Sequence, residues 1–173
     1  MIRLTTPIHE NDLLSLKVGD EVLISGKIYT ARDAAHKRLL ESYEQTGKLP
    51  ISLEGEILYY VGPTPEQGNL AIGSAGPTSS YRMDPYSIKL MPLGAKIMIG
   101  KGDRSDLFVS ELKKNRAVYF IAVGGIGALL SKTIQSSKVI MYEDLQSEAI
   151  RELQVENFPV IVAYDSNGLN IFK

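Results

Sequence analysis

The chain contains no cysteine among its 173 residues. This absence excludes disulfide bonds, thiolate nucleophiles and any iron–sulfur or zinc–thiolate site that the chain could build from its own residues. Histidine is almost as scarce, because only His9 and His36 occur and they lie far apart in the sequence. A zinc site formed by this chain alone is therefore not expected.

Neither sign of charge is in excess, since 19 lysine and arginine residues oppose 20 aspartate and glutamate residues and leave a net charge of −1. A protein that binds nucleic acid over a broad surface carries a basic excess, so this class is excluded. The longest uncharged apolar run, residues 118–130, is too short and too rich in glycine to span a bilayer, and residues 1–14 lack the apolar core of a signal peptide. We expect a cytoplasmic protein outside membranes, with residues 1–173 forming a single domain.

Short apolar strands alternate with helical segments along the chain. Strand composition is found at residues 21–29, 56–61, 96–99, 117–123, 139–142 and 159–164. Helical patterns are found from the segment at residues 30–33 up to Gly47, and at residues 85–93, 105–115, 125–133 and 145–153. The alternation predicts an α/β domain with a buried, partly parallel sheet.

Two helix starts are predicted from residues that commonly cap helices. Residues 30–33, Thr-Ala-Arg-Asp, have the form of an acidic capping box, which places Arg32 in the first turn. Asp84 and Pro85 fit the N-cap and first position of a later helix, whose positive dipole end would face the preceding loop.

That loop belongs to residues 73–86, GSAGPTSSYRMDPY, which combine glycine, hydroxyl side chains and one arginine. Glycine exposes backbone N–H groups, Thr78, Ser79 and Ser80 add hydroxyl donors, and Arg82 adds a planar guanidinium suited to a carboxylate or phosphate. The composition indicates an anion-binding loop. A plain turn between a strand and a helix explains the same composition equally well.

Three cations, Arg32, Arg82 and Lys101, each follow a predicted strand in a glycine-rich or helix-opening segment. Taken singly, each resembles a solvated surface charge. Together they indicate a ligand site, because α/β folds gather such sites at strand ends. Three cations with neighbouring hydroxyls and no acidic metal-ligand cluster fit a small dianion such as a dicarboxylate. His36, inside a helix, is interpreted as a half-buried structural residue rather than a base.

Two glycine-rich segments resemble nucleotide-binding motifs incompletely. Residues 100–102 lack the Ser or Thr that follows the lysine of a P-loop, and no glycine stands at the first P-loop position. Residues 122–127 follow a strand and Glu143 lies about twenty residues on, as in a dinucleotide fingerprint, but Leu130 occupies the third glycine position. A non-catalytic anion- or nucleotide-binding module therefore stays open as an alternative.

Six segments, in order, resemble the β subunit or C-terminal domain of class I iron–sulfur hydro-lyases, a family that includes two-subunit fumarate hydratase and L-tartrate dehydratase. The resemblance covers essentially the whole chain. The segments are LKVGDEVLISGKIYTARDAAHKR (16–38), YYVGPTP (59–65), IGSAGPTSSYRMDPY (72–86), MIGKGDRS (98–105), AVYFIAVGGIGALLSK (117–132) and YEDLQSEAI (142–150). Ser79 and Tyr81 depart from the threonine and small residues usual in the family, which leaves fumarate or tartrate open as the substrate.

The resemblance implies a three-layer swivelling β/β/α domain of the fumarase β-subunit type. It also implies an α subunit that supplies a [4Fe–4S] cluster, in an α2β2 hetero-oligomer, so that the two chains together convert fumarate reversibly to (S)-malate. The lack of cysteine agrees with a cluster held outside this chain.

The resemblance also implies roles for individual residues. Arg32 and Arg82 would clamp the substrate carboxylates. Lys101 would add positive charge, and Ser79 would bind the substrate. Thr78 would be the candidate base toward the C3 proton, a role that needs activation because a threonine hydroxyl is a poor base.

Overall fold

The computed structural model describes residues 1–61, 80–122 and 131–172. The strands in these ranges are β1 (Ile2–Thr5), β2 (Glu21–Thr30), β3 (Leu58–Tyr59), β4 (Ile97–Gly100), β5 (Val118–Ala122), β6 (Ile134–Met141) and β7 (Ile150–Tyr164). The α-helices are α1 (Glu10–Leu14), α2 (Asp33–Thr46), α3 (Asp84–Leu90) and α4 (Asp106–Asn115). Short 3₁₀ helices cover Ser80–Met83, Met91–Leu93, Ser131–Thr133 and Glu143–Glu148.

The strands form one mixed sheet in the order β1-β2-β3-β4-β5-β7-β6. Strands β1 to β5 are parallel to one another, whereas β7 is antiparallel to β5 and β6. The long strand β7 is also antiparallel to β2, so the pairings run from β2 through β3, β4, β5 and β7 and return to β2. The prediction of an α/β domain with a partly parallel sheet is confirmed.

Alternating strand residues supply two separate apolar clusters, as the two-residue period of a strand requires. Ile24, Ile99, Phe120 and Val160 belong to the cluster enclosed by the strands. The strand residues between them, such as Met98 and Tyr119, point to the opposite face. There they pack with buried residues of α2, α3 and α4, which include Leu39, Leu90, Phe108 and Leu112. Helices α2, α3 and α4 therefore cover one face of the sheet, whereas Leu13 of α1 packs with the enclosed cluster.

The helix ends in the structure match the ends predicted from the sequence only in part. Gly47 ends α2 in the left-handed conformation at φ 76°, and the Ser105 hydroxyl caps α4 by accepting from Phe108 N at 3.2 Å. Thr30, however, belongs to β2, and its hydroxyl accepts from Arg151 N at 3.0 Å, so the predicted capping box is wrong. Asp84 is also not an N-cap, because the 3₁₀ helix Ser80–Met83 runs directly into α3.

The largest correction concerns residues 145–153, which are predicted as a helix but divide between a 3₁₀ helix and the start of β7. Ile150, Leu153 and Val155 are buried there, and this part of β7 pairs with both β2 and β6. Tertiary pairing overrides the local helical preference. Residues 125–130 of another predicted helix lie outside the described residues.

The carboxyl ends of β2, β3 and β4 meet at one edge of the sheet, because Thr30 is in register with Tyr59 and Tyr59 with Ile99. Arg32 and Lys101 follow β2 and β4 at that edge. None of the helices in the described ranges is long and apolar enough to cross a membrane.

Candidate anion site at the carboxyl edge of the sheet

Arg32 occupies the N-cap position of α2, directly after the chain leaves β2. Its side chain is 23% exposed, and its Nε is buried without a hydrogen-bond partner among the described residues. The Asp33 carboxylate is a nearby counter-charge, with Oδ1 4.0 Å from Nε. Because buried polar groups are normally paired, an unpaired guanidinium N–H at a strand end is a feature expected of a ligand site.

Arg82 approaches the same carboxylate from the 3₁₀ helix Ser80–Met83. Its Nη2 donates to Asp33 Oδ1 at 3.1 Å, and its side chain is 45% exposed. Asp33 thus lies between two arginines that are 50 residues apart in sequence. Asp33 gives no sign of this contact in the sequence, since an acid in the first turn of a helix has an ordinary explanation.

Lys101 is joined to the segment that carries Arg82 by two backbone contacts with Ser80. Lys101 N donates to Ser80 Oγ at 2.7 Å, and Ser80 N donates to the Lys101 carbonyl at 2.9 Å. A Cβ at Gly100 would lie 1.8 Å from Ser80 Oγ, so only glycine lets the end of β4 approach so closely. The Lys101 side chain is exposed at this edge.

The structure therefore places Arg32, Arg82 and Lys101 around one edge, where the Glu148 carboxylate also accepts from Ala34 N at 3.1 Å. The three cationic side chains are suited to an anionic ligand. Thr78 and Ser79 lie outside the described residues, and the roles of all five site residues stay predictions. Tyr81 lies beside Arg82 with 64% of its surface exposed.

His36 is fully buried where half-burial was predicted. Its Nδ1 lies 2.7 Å from the Arg32 carbonyl, which can only accept, so Nδ1 carries the proton in this pair. Burial, with a smaller contribution from the nearby Arg104 charge, lowers the pKa of His36 to about 4 although the Arg32 hydrogen bond opposes the shift. The imidazole is neutral near pH 7 and stabilises the start of α2 beneath Arg32.

We expect His36 to make stability depend on pH. The unfolded chain binds a proton at His36 near pH 6.5, whereas the folded chain binds it only near pH 4. The stability of the fold is therefore unaffected by protonation of His36 above pH 6.5, and it decreases as the pH falls from 6.5 toward 4 because protonation favours the unfolded chain. The loss attributable to this residue is about 3 kcal/mol. Urea unfolding at several pH values should show a weaker pH dependence in His36→Gln. Replacing the exposed His9 by glutamine is the control, and an identical dependence in wild type and His36→Gln would contradict the assignment.

A buried polar network next to the site was not predicted. Arg104 is buried and its Nε donates to Asp84 Oδ1 at 2.5 Å, while Nη2 donates to Ser87 Oγ at 3.1 Å and to the Tyr60 hydroxyl at 3.3 Å. Arginine and aspartate are normally exposed, so sequence gives no sign that these two are enclosed. The one available signal is that Arg104 belongs to the same glycine-rich segment as Lys101.

The chain offers no cysteine thiolate, the usual ligand of an iron–sulfur cluster. The whole sequence lacks cysteine, and the described ranges contain no group of three or more histidine, aspartate or glutamate residues placed to hold a metal ion.

Comparison with known proteins identifies the family. All of residues 1–173 match the family model described as the fumarase C-terminus. The chain belongs to this family. A relative from Methanocaldococcus jannaschii, provisionally named L(+)-tartrate dehydratase subunit beta, is 38% identical over 172 residues, which cover 95% of this chain and 87% of the relative. The aerobic class I fumarate hydratase of Escherichia coli K12 is 34% identical over 158 residues, which cover 90% of this chain and 29% of the relative.

The relatives named fumarate hydratase are much longer than this chain. A Geobacillus stearothermophilus protein, provisionally named class I fumarate hydratase, matches 100% of the chain at 37% identity, yet the match covers 34% of that protein. The chain thus spans about a third of the length of the fumarate hydratases and most of the length of the tartrate dehydratase subunit. The family is that of hydro-lyases, and the resemblance drawn from the six segments is confirmed.

Proposed function

We propose that this chain is the β subunit of a [4Fe–4S]-dependent fumarate hydratase, which converts fumarate reversibly to (S)-malate with an α subunit that supplies the cluster. The observation that carries the proposal is the convergence of Arg32 and Arg82 on Asp33 at the strand edge where Lys101 also lies. A dicarboxylate has two anionic groups, and two guanidinium groups with one ammonium provide a donor for each.

The residues of this chain would bind and orient the substrate. The guanidinium groups of Arg32 and Arg82 would each hold a carboxylate, Ser79 would add a hydroxyl, and Lys101 would increase the local positive charge. Thr78 would move the C3 proton once a neighbour has activated its hydroxyl. The cluster, in the partner, would act as a Lewis acid on the substrate.

The wider setting of the chain is part of the same proposal. The two apolar clusters, one enclosed by strands and one between strands and helices, support a three-layer swivelling β/β/α fold. We further infer that residues 1–173 are one catalytic domain, that the assembly is an α2β2 hetero-oligomer, and that it works in the cytoplasm.

L-Tartrate dehydratase is the second candidate. The relative provisionally named tartrate dehydratase subunit beta supports it, with 38% identity over 95% of this chain, against 37% over 100% for the relative provisionally named class I fumarate hydratase. Tartrate differs from malate by one hydroxyl group, and the cation set described above would bind the carboxylates of either. The structure therefore supports the substrate class more directly than the individual substrate.

The test is an assay of this chain co-expressed with a cluster-bearing α subunit and reconstituted anaerobically with iron and sulfide. We expect interconversion of fumarate and malate by the complex and none by the chain alone, which should also be colourless because it has no thiolate. Activity on L-tartrate only would select the second candidate. Inactivity on fumarate, malate and both tartrates, with the cluster present, would refute the hydro-lyase proposal and favour a binding module.

A further inference from the structure

We propose that the buried ion pair between Arg104 and Asp84 is the positioning element that holds Arg82 in its substrate-binding arrangement against the segment that carries Lys101. This inference rests on the proposed function, because it assigns the pair a role toward the same site. Arg104 cannot touch the substrate, since its side chain has no exposed surface, and the Asp84 side chain is only 6% exposed. Any influence of the Arg104–Asp84 pair on the substrate must therefore act through other residues.

The pair joins the two segments that carry the cations. Asp84 lies two residues after Arg82, and Arg104 lies three residues after Lys101. Besides the 2.5 Å contact between Arg104 Nε and Asp84 Oδ1, the other carboxylate oxygen accepts from Ser105 N at 2.7 Å. One carboxylate therefore fixes the end of the 3₁₀ helix Ser80–Met83 to the loop between β4 and α4.

The opposite end of the same 3₁₀ helix is fixed at Ser80. The hydrogen bonds between Ser80 and Lys101 hold it against the loop, and the Tyr119 hydroxyl lies 2.8 Å from Ser80 Oγ and 2.9 Å from the Gly102 carbonyl. Arg82 thus stands on a four-residue turn that is attached at both ends to the segment containing Lys101. Its backbone has little freedom to move relative to that segment.

Aromatic rings enclose the Arg104 guanidinium and fix its plane. Its Cζ lies 3.6 Å from the centroid of Phe108, 4.7 Å from that of Tyr119 and 5.1 Å from that of Tyr60. A planar guanidinium packed in this way keeps one orientation, which a lysine ammonium would not reproduce. Tyr119 belongs to this enclosure and also contacts Ser80, so it connects the two attachment points.

The energetics of buried ion pairs make a purely stabilising role a poor explanation. Enclosing two charges costs desolvation that their attraction does not clearly exceed, and neutral replacements of similar volume are often as stable. Geometric specificity is the use of such a pair that remains testable. The discriminating variant is therefore one that keeps the fold while removing both charges.

The test uses the cluster-bearing complex and the double variant Asp84→Asn/Arg104→Met, in which the introduced amide keeps an oxygen that can accept from Ser105 N. We expect the double variant to unfold at a temperature close to that of wild type, while KM for the dicarboxylate rises roughly tenfold or more and kcat changes less than about threefold. The matched control is Lys27→Met/Glu56→Gln, which removes another ion pair, 3.6 Å long, whose carboxylate is largely enclosed. The control should leave KM unchanged.

A double-mutant cycle with Arg82→Ala separates positioning from general loosening. If Arg104 acts through Arg82, the roughly tenfold effect on KM should shrink to less than about threefold when Arg82 is already absent. A full effect in the Arg82→Ala background, or a wild-type KM in the folded double variant, would overturn the inference.

The outcome is distinguishable from failure of the proposed function. If the wild-type complex acts on no dicarboxylate, the proposed function fails, and amide hydrogen exchange still decides the positioning role. We then expect exchange at residues 80–83 to be at least roughly tenfold faster in Asp84→Asn/Arg104→Met than in wild type or the control. Equal rates would refute the inference independently of any activity.

Discussion

Replacing Arg82 by lysine is expected to lower kcat/KM for the dicarboxylate by roughly 30- to 150-fold, equivalent to about 2–3 kcal/mol. Lysine keeps the charge but loses the planar fork that can donate two hydrogen bonds to one carboxylate while a third nitrogen contacts Asp33. Steady-state kinetics of the assembled complex measures the effect.

Arg38→Lys is the matched control for this prediction. Arg38 also lies at the protein surface in an ion pair, with Nη1 2.7 Å from Asp144 Oδ1, but it belongs to α2 beyond the strand edge. Its replacement should leave kcat/KM within about threefold of wild type, as is usual for an exposed pair. Equal losses in the two variants would show that Arg82 has no particular role toward the substrate.

Replacing Thr78 by alanine is expected to lower kcat by roughly 100-fold or more with KM nearly unchanged. A hydroxyl that takes part in proton transfer contributes in the transition state, so its loss appears in kcat rather than in substrate binding. Thr78→Ser should recover much of the rate because it restores a hydroxyl at the same carbon. Kinetics of both variants, with confirmation that the cluster-bearing complex assembles, decides the role.

Ser79, the next residue in the sequence, provides the comparison. If Ser79 only binds substrate, Ser79→Ala should raise KM modestly and leave kcat near that of wild type. A kcat of Thr78→Ala within about threefold of wild type would remove Thr78 from the catalytic proposal. The chain would then be a substrate-binding half alone.

Short-range patterns predicted the frame of the fold well. Glu21–Thr30 is a strand because β-branched and apolar residues alternate there, and Gly47 ends α2 because glycine adopts a left-handed φ without steric cost. The sequence could not predict that Ile150 begins a 15-residue strand, because pairing with β2 and β6 decides that segment. Local preference is weak compared with such tertiary contacts.

The same distinction applies to the site. Arg32, Arg82 and Lys101 could be proposed from sequence, since each follows a strand and strand ends gather ligand residues in α/β folds. Asp33 and Arg104 could not be proposed in this way, because their roles depend on contacts between residues that are distant in sequence. Asp33 meets Arg82 across 49 residues, and Arg104 meets Asp84 across 20 residues. Burial of a charge is a property of the folded chain and leaves no local pattern.

The most direct test of the central claim is a structure of the assembled complex with a bound dicarboxylate. We predict carboxylate oxygens about 2.7–3.0 Å from guanidinium nitrogens of both Arg32 and Arg82, with Lys101 Nζ facing one of them. The Arg32 Nε that lacks a partner among the described residues should be one of the donors. A dicarboxylate whose two carboxylates are held entirely by other residues, with Arg32 and Arg82 still directed at Asp33, would contradict the account.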